Sequence, residues 1–357
     1  MIEANEQKTI LVLGGYGAVG SVVCEELARN FAGRIIVAGR NLQQAERLAQ
    51  QLGGRVEAVQ VDAAQPVAYR YLLSKTSVVV NCVEYNNIVV ARECLRQAAH
   101  YVEVSATAQI LAQIETLQAE AEQGRATAVL SVGVAPGLTN LLAHHARLRL
   151  GPLVRADLFV LLGLGEAHGE AAIRWMLQNM GRSFTLGSEN TGQQVRSFVE
   201  GRATKMPPPF GRRAAYRFDF SDQHTLPRTL GIQSVNTWLC FDSRLVTCFF
   251  GVMASLRLLS VLPLWRVSGS IARLSLRFTF GSKQFVVQVD AVSSGGKKGS
   301  FALIGDGETH MTGLVAAHVA RHLLSSPTPP GILHIEQILS LASLLSKTDG
   351  RLRLVER

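Results

Sequence analysis

Three glycines near the start of the chain have the spacing of a phosphate-binding turn. Residues 15–20 read GYGAVG and fit the pattern G-x-G-x-x-G, directly after an apolar run typical of a buried strand. In that setting the first glycine permits a tight turn, the second lets the backbone approach a pyrophosphate, and the third lets helix and strand pack closely. The helix that begins here would direct its N–H groups toward the phosphates. The residues predicted to bind them are Gly15, Tyr16, Gly17, Ala18, Val19 and Gly20.

The end of the second predicted strand indicates which dinucleotide binds. NAD-binding domains usually carry Asp or Glu there, about 20 residues beyond the glycine motif, where the carboxylate binds the ribose hydroxyls. This sequence has Gly39 in that position, followed by Arg40 and Asn41. A carboxylate would repel a 2′-phosphate, whereas a guanidinium pairs with it. We therefore predict NADP(H) as the cofactor, with these three residues near its 2′-phosphate; the alternative is that Arg40 is a surface residue on a turn.

Further cofactor contacts are expected at the same edge of the sheet, since ligands of open α/β sheets bind beyond the carboxyl ends of the strands. Residues after the third predicted strand would lie near the adenine, and residues after the fourth and fifth near the ribose and the nicotinamide. In chain order they are Asp62, Ala63, Asn81, Cys82, Val83, Ser105 and Ala106.

The redox chemistry of hydride transfer belongs to the cofactor itself, so the protein has to supply the group that transfers the accompanying proton. Few side chains in the sequence are placed to do this. Glu84 and Tyr85 follow the fourth strand and are candidate catalytic residues, or else a surface pair in a loop. His168 lies in a glycine-bounded loop, where an imidazole with a pKa of about 6.5 would suit a proton donor. The alternative is a loop histidine with no catalytic role.

Four residues are candidate contacts for the substrate. Arg174 would clamp a carboxylate with its guanidinium, and Trp175 follows it on the same predicted helix. Glu103 ends the fifth strand, and His144 lies on the helix after the Pro-Gly turn at 136–137. Each has an ordinary alternative, such as a surface position for Arg174 and helix packing for Glu103.

The elements that must position these residues follow from the hydrophobic pattern. Six short apolar strands alternate with helices up to residue 135, which requires parallel strands joined by right-handed crossovers. Longer strands with alternating polarity follow, as in an antiparallel sheet with one face covered. We therefore predict an α/β protein with a doubly wound Rossmann sheet over 1–138, completed by C-terminal helices over 308–357. An inserted α+β domain with a largely antiparallel sheet, for substrate binding or dimerisation, is predicted over 139–307.

Composition and charge narrow the class of protein further. The chain has 357 residues, of which 47% are hydrophobic, so it can form a core. Its net charge of +9 comes from scattered basic residues without an arginine-rich arm, which argues against nucleic-acid binding. Five irregularly spaced cysteines without a CxxC argue against a zinc site or a disulfide framework and indicate a reducing cytoplasm. No metal is predicted, because the spacing of Asp219, Asp222 and His224 matches no standard site.

One segment, residues 245–265, resembles a membrane span. It is interrupted only by Arg257 and Pro263. A charge at the middle of a span costs about 3 kcal/mol on the insertion scale. A buried or interface helix is therefore favoured, and a helix that contacts a membrane surface is the alternative.

Four stretches together resemble the saccharopine dehydrogenase/reductase family. The resemblance covers about 1–142 and about 308–346. It implies oxidoreduction with a pyridine nucleotide at a carbon that bears nitrogen, C-terminal helices that return to the dinucleotide domain, and a middle domain that helps form a homodimer. The stretches are ILVLGGYGAVG, VAGRNLQQAERLA, VVVNCVEYNNIVVARECLRQAAHYVEVS and GVAPGLTNLLA.

The chain departs from the family pattern near the expected nicotinamide site. Many relatives carry two prolines where Val83, Glu84 and Tyr85 stand, and many carry Asp at the positions of Glu103 and Ala135. These differences leave the amino-acid substrate class open.

Three functions remain under consideration. The first is an NADP(H)-dependent oxidoreductase that acts on a C=N or C=O bond of a small metabolite, anionic or amine-bearing. The second is a reductase of a lipid or carrier-bound C=C or C=O substrate, which the 245–265 segment and the basic charge favour. The third is a nucleotide-binding scaffold without turnover, which the small number of acid/base candidates favours.

Overall fold

The computed structural model describes residues 8–166, 169–187, 192–261, 270 and 281–357.

The chain forms two compact units. The first comprises Met1–Gly133 and Thr312–Ile338, and the second comprises Val134–Met311 and Leu339–Arg357. The sequence predicts that all of 308–357 completes the nucleotide-binding domain. The structure instead divides this segment, because residues 352–356 form a strand in the sheet of the second unit.

Parallel strands make up the sheet of the first unit, and mainly antiparallel strands make up that of the second. Within the described residues the strands are β1 (Thr9–Leu13), β2 (Arg34–Gly39), β3 (Val56–Gln60), β4 (Val78–Asn81), β5 (His100–Glu103), β6 (Thr127–Leu130), β7 (Leu153–Leu162), β8 (Ser183–Leu186), β9 (Gln193–Arg196), β10 (Gly201–Lys205), β11 (Arg212–Arg217), β12 (Ser234–Phe241), β13 (Gln284–Ser293), β14 (Lys298–Asp306), β15 (Gly331–His334) and β16 (Leu352–Glu356).

Helices alternate with the strands through most of the first unit and pack against the sheet of the second. Those described are α1 (Ala18–Asn30), α2 (Leu42–Leu52), α3 (Arg70–Leu73), α4 (Asn87–Arg96), α5 (Ala108–Glu115), α6 (Gln118–Gln123), α7 (Thr139–Leu150), α8 (Glu170–Asn179), α9 (Asp222–Thr229), α10 (Arg244–Ser255), α11 (Leu258–Val261), α12 (Glu308–Ser325), α13 (Ile335–Ile338) and α14 (Leu341–Leu345).

The first sheet is doubly wound, as predicted. Its described strands run in the order β15-β6-β5-β4-β1-β2-β3, and every neighbouring pair is parallel. β1 and β4 are buried along their whole length, which explains their unbroken apolar sequences. The strand order reverses between β1 and β4, and ligands of such sheets bind at the carboxyl ends of the strands beside this reversal. β15 is an addition, because the sequence pattern around it predicts only a loop and a helix.

The second sheet is largely antiparallel, also as predicted. Its described strands run in the order β10-β11-β12-β7-β13-β14-β16, and only β7 and β12 pair in parallel. α7, α9 and α10 pack against these strands. Residues 195–206 read VRSFVEGRATKM, a pattern that predicts one strand. They are instead divided between β9 and β10, because the intervening Phe198 has a left-handed backbone (φ 63°) that a regular strand does not adopt.

The apolar segment 245–265 forms α10 and α11 over most of its length, and residues 262–265 lie outside the described part of the chain. The sequence ARLSLRFTFG predicts a further strand over 272–281. Residues 272–280 of it also lie outside the described part of the chain. Among the described helices, none is both long enough and apolar enough to cross a membrane.

Candidate nucleotide-binding and active site

The glycine turn between β1 and α1 is held against the end of β2. The N–H groups of Gly14 and Gly15 both donate to the carbonyl of Ala38, at 2.8 and 3.1 Å. A Cβ on Gly20 would lie 2.2 Å from the carbonyl oxygen of Gly14, so only glycine lets α1 pack this closely on the turn. α1 begins after Gly17 without a side-chain cap. Its first N–H groups therefore suit a phosphate, as the motif predicts.

The turn between β2 and α2 carries the predicted 2′-phosphate residues. Asn41 caps α2 by accepting the Gln44 N–H at 3.1 Å, and its own N–H donates to the Tyr16 hydroxyl at 2.9 Å. Gln60 donates to the Arg40 carbonyl at 3.0 Å. The Arg40 guanidinium is exposed and has no partner among the described residues. An exposed cation beside the glycine turn fits a phosphate that NAD lacks.

Asp62 and Ala63 follow β3 at this same edge of the sheet, as predicted. The Asp62 carboxylate is exposed and accepts the N–H of Ala64 at 3.0 Å, which closes a tight turn. Their contact with the adenine stays a prediction.

The residues after β4 lie against the glycine turn. A Cβ built on Gly14 would be 2.6 Å from Val83 Cγ1 and 3.3 Å from the Cys82 carbonyl oxygen. Asn81 is buried and donates to the Val83 carbonyl at 3.0 Å. Burial raises the pKa of the Cys82 thiol to about 12, which favours its neutral form.

Glu84 links the loops that follow β4 and β5. Its Oε1 atom accepts hydrogen bonds from Ser105 Oγ and, at 3.3 Å, from Thr107 Oγ1. Glu84 itself is exposed, and so is the neighbouring Tyr85. The structure thus brings Glu84 and Ser105 together at the predicted edge, and Ala106 lies between the two hydroxyl donors in sequence.

Glu103 lies beneath this edge and is 1% exposed. Its Oε2 atom accepts from Tyr101 Oη at 2.6 Å, Asn87 Nδ2 at 2.9 Å and Asn81 Nδ2 at 3.3 Å. Its Oε1 atom accepts the Ser105 N–H at 2.9 Å. The predicted contact with substrate is therefore replaced by a supporting role, in which Glu103 anchors the residues that follow β4 and β5.

Sequence reasoning missed Tyr101, Asn87 and Thr107. Strand alternation puts Tyr101, Glu103 and Ser105 on one side of β5 and its extension, and this pattern could have indicated Tyr101. Asn87, at the start of α4, donates to Glu103, and Thr107, just before α5, donates to Glu84. We find no signal in the sequence that indicates either residue.

The charge state of Glu103 should couple stability to pH. Burial raises its pKa from 4.5 to about 7, against the lowering effect of its hydrogen bonds. The folded state therefore binds this proton more tightly than the unfolded state, and the stabilisation is complete below about pH 4.5 and lost as the pH rises through about 7. Glu103→Gln cannot ionise. We expect it to flatten the pH dependence of the unfolding free energy between these values, by up to about 1.4 kcal/mol per pH unit.

Urea unfolding at a series of pH values measures this effect. Glu46→Gln is the control, because Glu46 is exposed on α2 and has no partner among the described residues. An unchanged slope in Glu103→Gln would mean that another group carries the pH dependence.

The remaining candidates belong to the second unit. His168 lies outside the described residues. Glu166, just before it, accepts the N–H groups of Glu308 and Thr309 at 2.5 and 2.8 Å, and so caps α12. His144 is half-buried on α7.

Arg174 and Trp175 share α8. Arg174 is exposed and forms an ion pair with Glu170 one turn earlier, at 2.5 Å. The Trp175 ring packs on Phe218 and Phe220, each at a centroid distance of 5.6 Å. Their roles toward a substrate stay predictions.

A metal site is not found within the described ranges, where no group of three or more His, Cys, Asp and Glu side chains could hold an ion. His224 bonds to Asp219 at 2.6 Å. Asp222 is buried and accepts instead from Thr237 Oγ1 at 2.6 Å.

Most of the first unit matches a known protein family. Residues 10–129 match the family model described as the saccharopine dehydrogenase NADP binding domain. This range contains the glycine turn, Arg40 and the Glu84–Ser105 pair.

Among solved structures, the chain is similar to apo saccharopine dehydrogenase (L-Glu forming) from Saccharomyces cerevisiae, with a TM-score of 0.67 and 15% identity. The match covers 98% of this chain and 100% of that one, and it shows a shared fold. The RhlG/NADP complex of Pseudomonas aeruginosa matches 38% of this chain and 75% of its own, at 17% identity and a TM-score of 0.29, too low to support any argument.

The geometry of the site supports NADP(H) as the cofactor independently of these comparisons. A Cβ on Gly14 or Gly20 would collide with neighbouring atoms of the turn, α1 starts without a side-chain cap, and Arg40 offers a cation without a partner among the described residues. The part of the chain over residues 10–129 is thus similar to the saccharopine dehydrogenase NADP binding domain.

Proposed function

We propose that the protein is an NADP(H)-dependent oxidoreductase that transfers hydride at a C=N or C=O bond of a small metabolite. One observation carries the proposal: the carboxyl edge of the first sheet holds both the NADP-type turns at β1 and β2 and the Glu84–Ser105–Thr107 cluster at β4 and β5. Nucleotide-binding residues alone would suit a scaffold, whereas a carboxylate at the same edge supports turnover.

NADP(H), when bound, supplies or accepts the hydride. Reduction of a C=N bond adds hydride to carbon and a proton to nitrogen, and oxidation of the amine reverses both. Glu84 is the group that we assign to the proton, because its carboxylate is exposed and its orientation is fixed by Ser105 and Thr107. Glu103 holds Ser105 from below through its N–H and thereby supports that orientation.

The substrate is proposed to be small and either anionic or amine-bearing. Support comes from the resemblance to enzymes that act at carbon bearing nitrogen and from the net charge of +9. Arg174, Trp175 and His144 are its proposed contacts, and His168 stays a candidate proton donor.

A two-step experiment tests this function. The protein is first titrated with NADPH and NADH by nicotinamide fluorescence. NADPH consumption is then followed with amines paired with keto acids or aldehydes. We expect NADPH binding and turnover with at least one such pair. Binding without turnover across the panel would favour a scaffold, and absence of binding would reject the oxidoreductase.

A second candidate function, reduction of a lipid or carrier-bound substrate, is favoured by the exposed face of α10. Leu245, Phe249, Val252 and Leu256 follow one another along that face and are 84, 55, 51 and 63% exposed. No described residue is close enough to bury them. Apolar side chains in such a row, near basic residues, are typical of surfaces that bind an anionic membrane.

Vesicle flotation measures whether the exposed face of α10 binds a membrane. We expect the protein to float with vesicles that contain an anionic phospholipid, and Leu245→Ser with Phe249→Ser to lower the bound fraction severalfold. Leu148→Ser is the matched control, because Leu148 is a 70% exposed leucine on a different helix, α7. Equal loss in the control, or no flotation, would remove the support for a lipid substrate.

A further inference from the structure

The ring of Tyr16 lies on the backbone of Gly39, where β2 ends. A Cβ built on Gly39 would be 2.4 Å from Tyr16 Cε1, and 2.8 Å from both its Cζ and its hydroxyl oxygen. A ring at the end of a side chain can move, but here its hydroxyl accepts the Asn41 N–H at 2.9 Å. Any residue larger than glycine at position 39 would therefore have to displace the ring and break this hydrogen bond.

Position 39 is also the place from which an acidic side chain binds the ribose hydroxyls in NAD-binding domains. The Tyr16 ring occupies the space into which that side chain would extend. Glycine at this position thus has a structural cause: the aromatic residue inside the glycine motif packs on it across the β1–β2 pair.

The same tyrosine helps to hold the turn that carries Arg40. On one side the Asn41 N–H is bound by the Tyr16 hydroxyl, and on the other Gln60 donates to the Arg40 carbonyl. The backbone on both sides of Arg40 is therefore fixed, while its guanidinium is left exposed. A hydroxyl that accepts one hydrogen bond keeps its own proton, which it can donate to an anion.

We propose that Tyr16 is a specificity-determining residue of the nucleotide site, which selects NADP(H) over NAD(H). Its ring excludes an acidic side chain from position 39, and its hydroxyl holds the turn that presents Arg40 to the 2′-phosphate. The inference rests on the proposed function, since it assumes that the site binds a nicotinamide dinucleotide.

The packing contact can be tested without any nucleotide. Thermal unfolding is measured for Gly39→Ala, Tyr16→Ala and the double variant. We expect Gly39→Ala to lower the melting temperature by about 2–4 °C or more when Tyr16 is present, and by clearly less in the Tyr16→Ala background. Equal decreases in both backgrounds would show that Tyr16 does not restrict position 39, and would overturn the inference.

Selectivity is tested by fluorescence titration with NADPH and NADH. Gly39→Asp alone should lose NADPH affinity without gaining NADH affinity, whereas adding Tyr16→Ala should raise NADH affinity about tenfold over the single variant. Tyr16→Phe should weaken NADPH binding about three- to tenfold and leave NADH binding unchanged. Tyr71→Ala is the control, because Tyr71 is a 73% exposed tyrosine on α3 and should affect neither affinity.

The outcomes separate this inference from the function on which it rests. Tight NADH binding by Gly39→Asp with Tyr16 intact, or unchanged selectivity in Tyr16→Phe and Tyr16→Ala, would overturn the role of Tyr16 while leaving the cofactor in place. Failure of the unsubstituted protein to bind either nucleotide would overturn both. In that case the melting experiment would still report whether the packing contact exists.

Discussion

Replacing Arg40 with alanine is expected to weaken NADPH binding by about ten- to hundredfold and to leave NADH affinity nearly unchanged. The guanidinium is exposed beside the glycine turn and has no partner among the described residues, so its charge is not already neutralised by the protein. Its loss removes charge-assisted hydrogen bonds that only the 2′-phosphate can make. Fluorescence titration with NADPH and with NADH measures the two dissociation constants and hence their ratio.

Arg55→Ala is the matched control for Arg40→Ala. Arg55 is also exposed, but it precedes β3 at the amino end of the strand, whereas Arg40 follows β2 at its carboxyl end. It should leave both affinities unchanged. A similar loss in both variants would indicate a general effect of net charge, and a loss of NADH affinity in Arg40→Ala would indicate that the residue contacts a part shared by the two nucleotides.

The first unit was largely predictable because its signals are local. The glycine spacing and the uninterrupted apolar runs of β1 and β4 each lie within a few residues, and parallel strands joined by helices follow from their repetition. The edge at which ligands bind follows from the same topology. Thus the amino-acid sequence alone is enough to assign Arg40, Glu84 and Ser105 to one edge.

Contacts between distant parts of the chain could not be predicted in this way. The packing of Tyr16 on Gly39 depends on the register of β1 against β2. The four hydrogen bonds to Glu103 come from residues in β4, in α4, in β5 and in the loop that follows β5. In the second unit, the left-handed backbone at Phe198 ends a strand where no glycine or proline signals it.

The two carboxylates at the ends of β4 and β5 have different environments, and this difference assigns their roles. Glu103 is buried, with a pKa raised to about 7, and it accepts four hydrogen bonds from protein groups. Glu84 is exposed and accepts hydroxyl hydrogens on one oxygen, Oε1. A group that exchanges a proton with a substrate must be reachable by it, so we propose Glu84 as the proton-transfer residue and Glu103 as a positioning residue.

Glu84→Gln is therefore expected to lower kcat about a hundredfold or more and to leave the Kd for NADPH unchanged. The amide oxygen of glutamine can still accept the hydrogen bonds of Ser105 and Thr107, so the loops keep their positions, but the side chain can no longer take up a proton. Steady-state rates with the best substrate pair from the panel, together with NADPH titration, measure both quantities.

Tyr85→Phe separates the two candidates that follow β4. The Tyr85 phenol is exposed, and among the described residues it makes no hydrogen bond to Glu84, Ser105 or Thr107. We therefore expect kcat to change less than threefold, which corresponds to about 0.7 kcal/mol of activation free energy. A large decrease in Tyr85→Phe with normal rates in Glu84→Gln would transfer the catalytic role to the phenol. Normal rates in both variants would place proton transfer outside this edge of the sheet, and His168 would become the next residue to substitute, because an imidazole is the other side chain singled out for that chemistry.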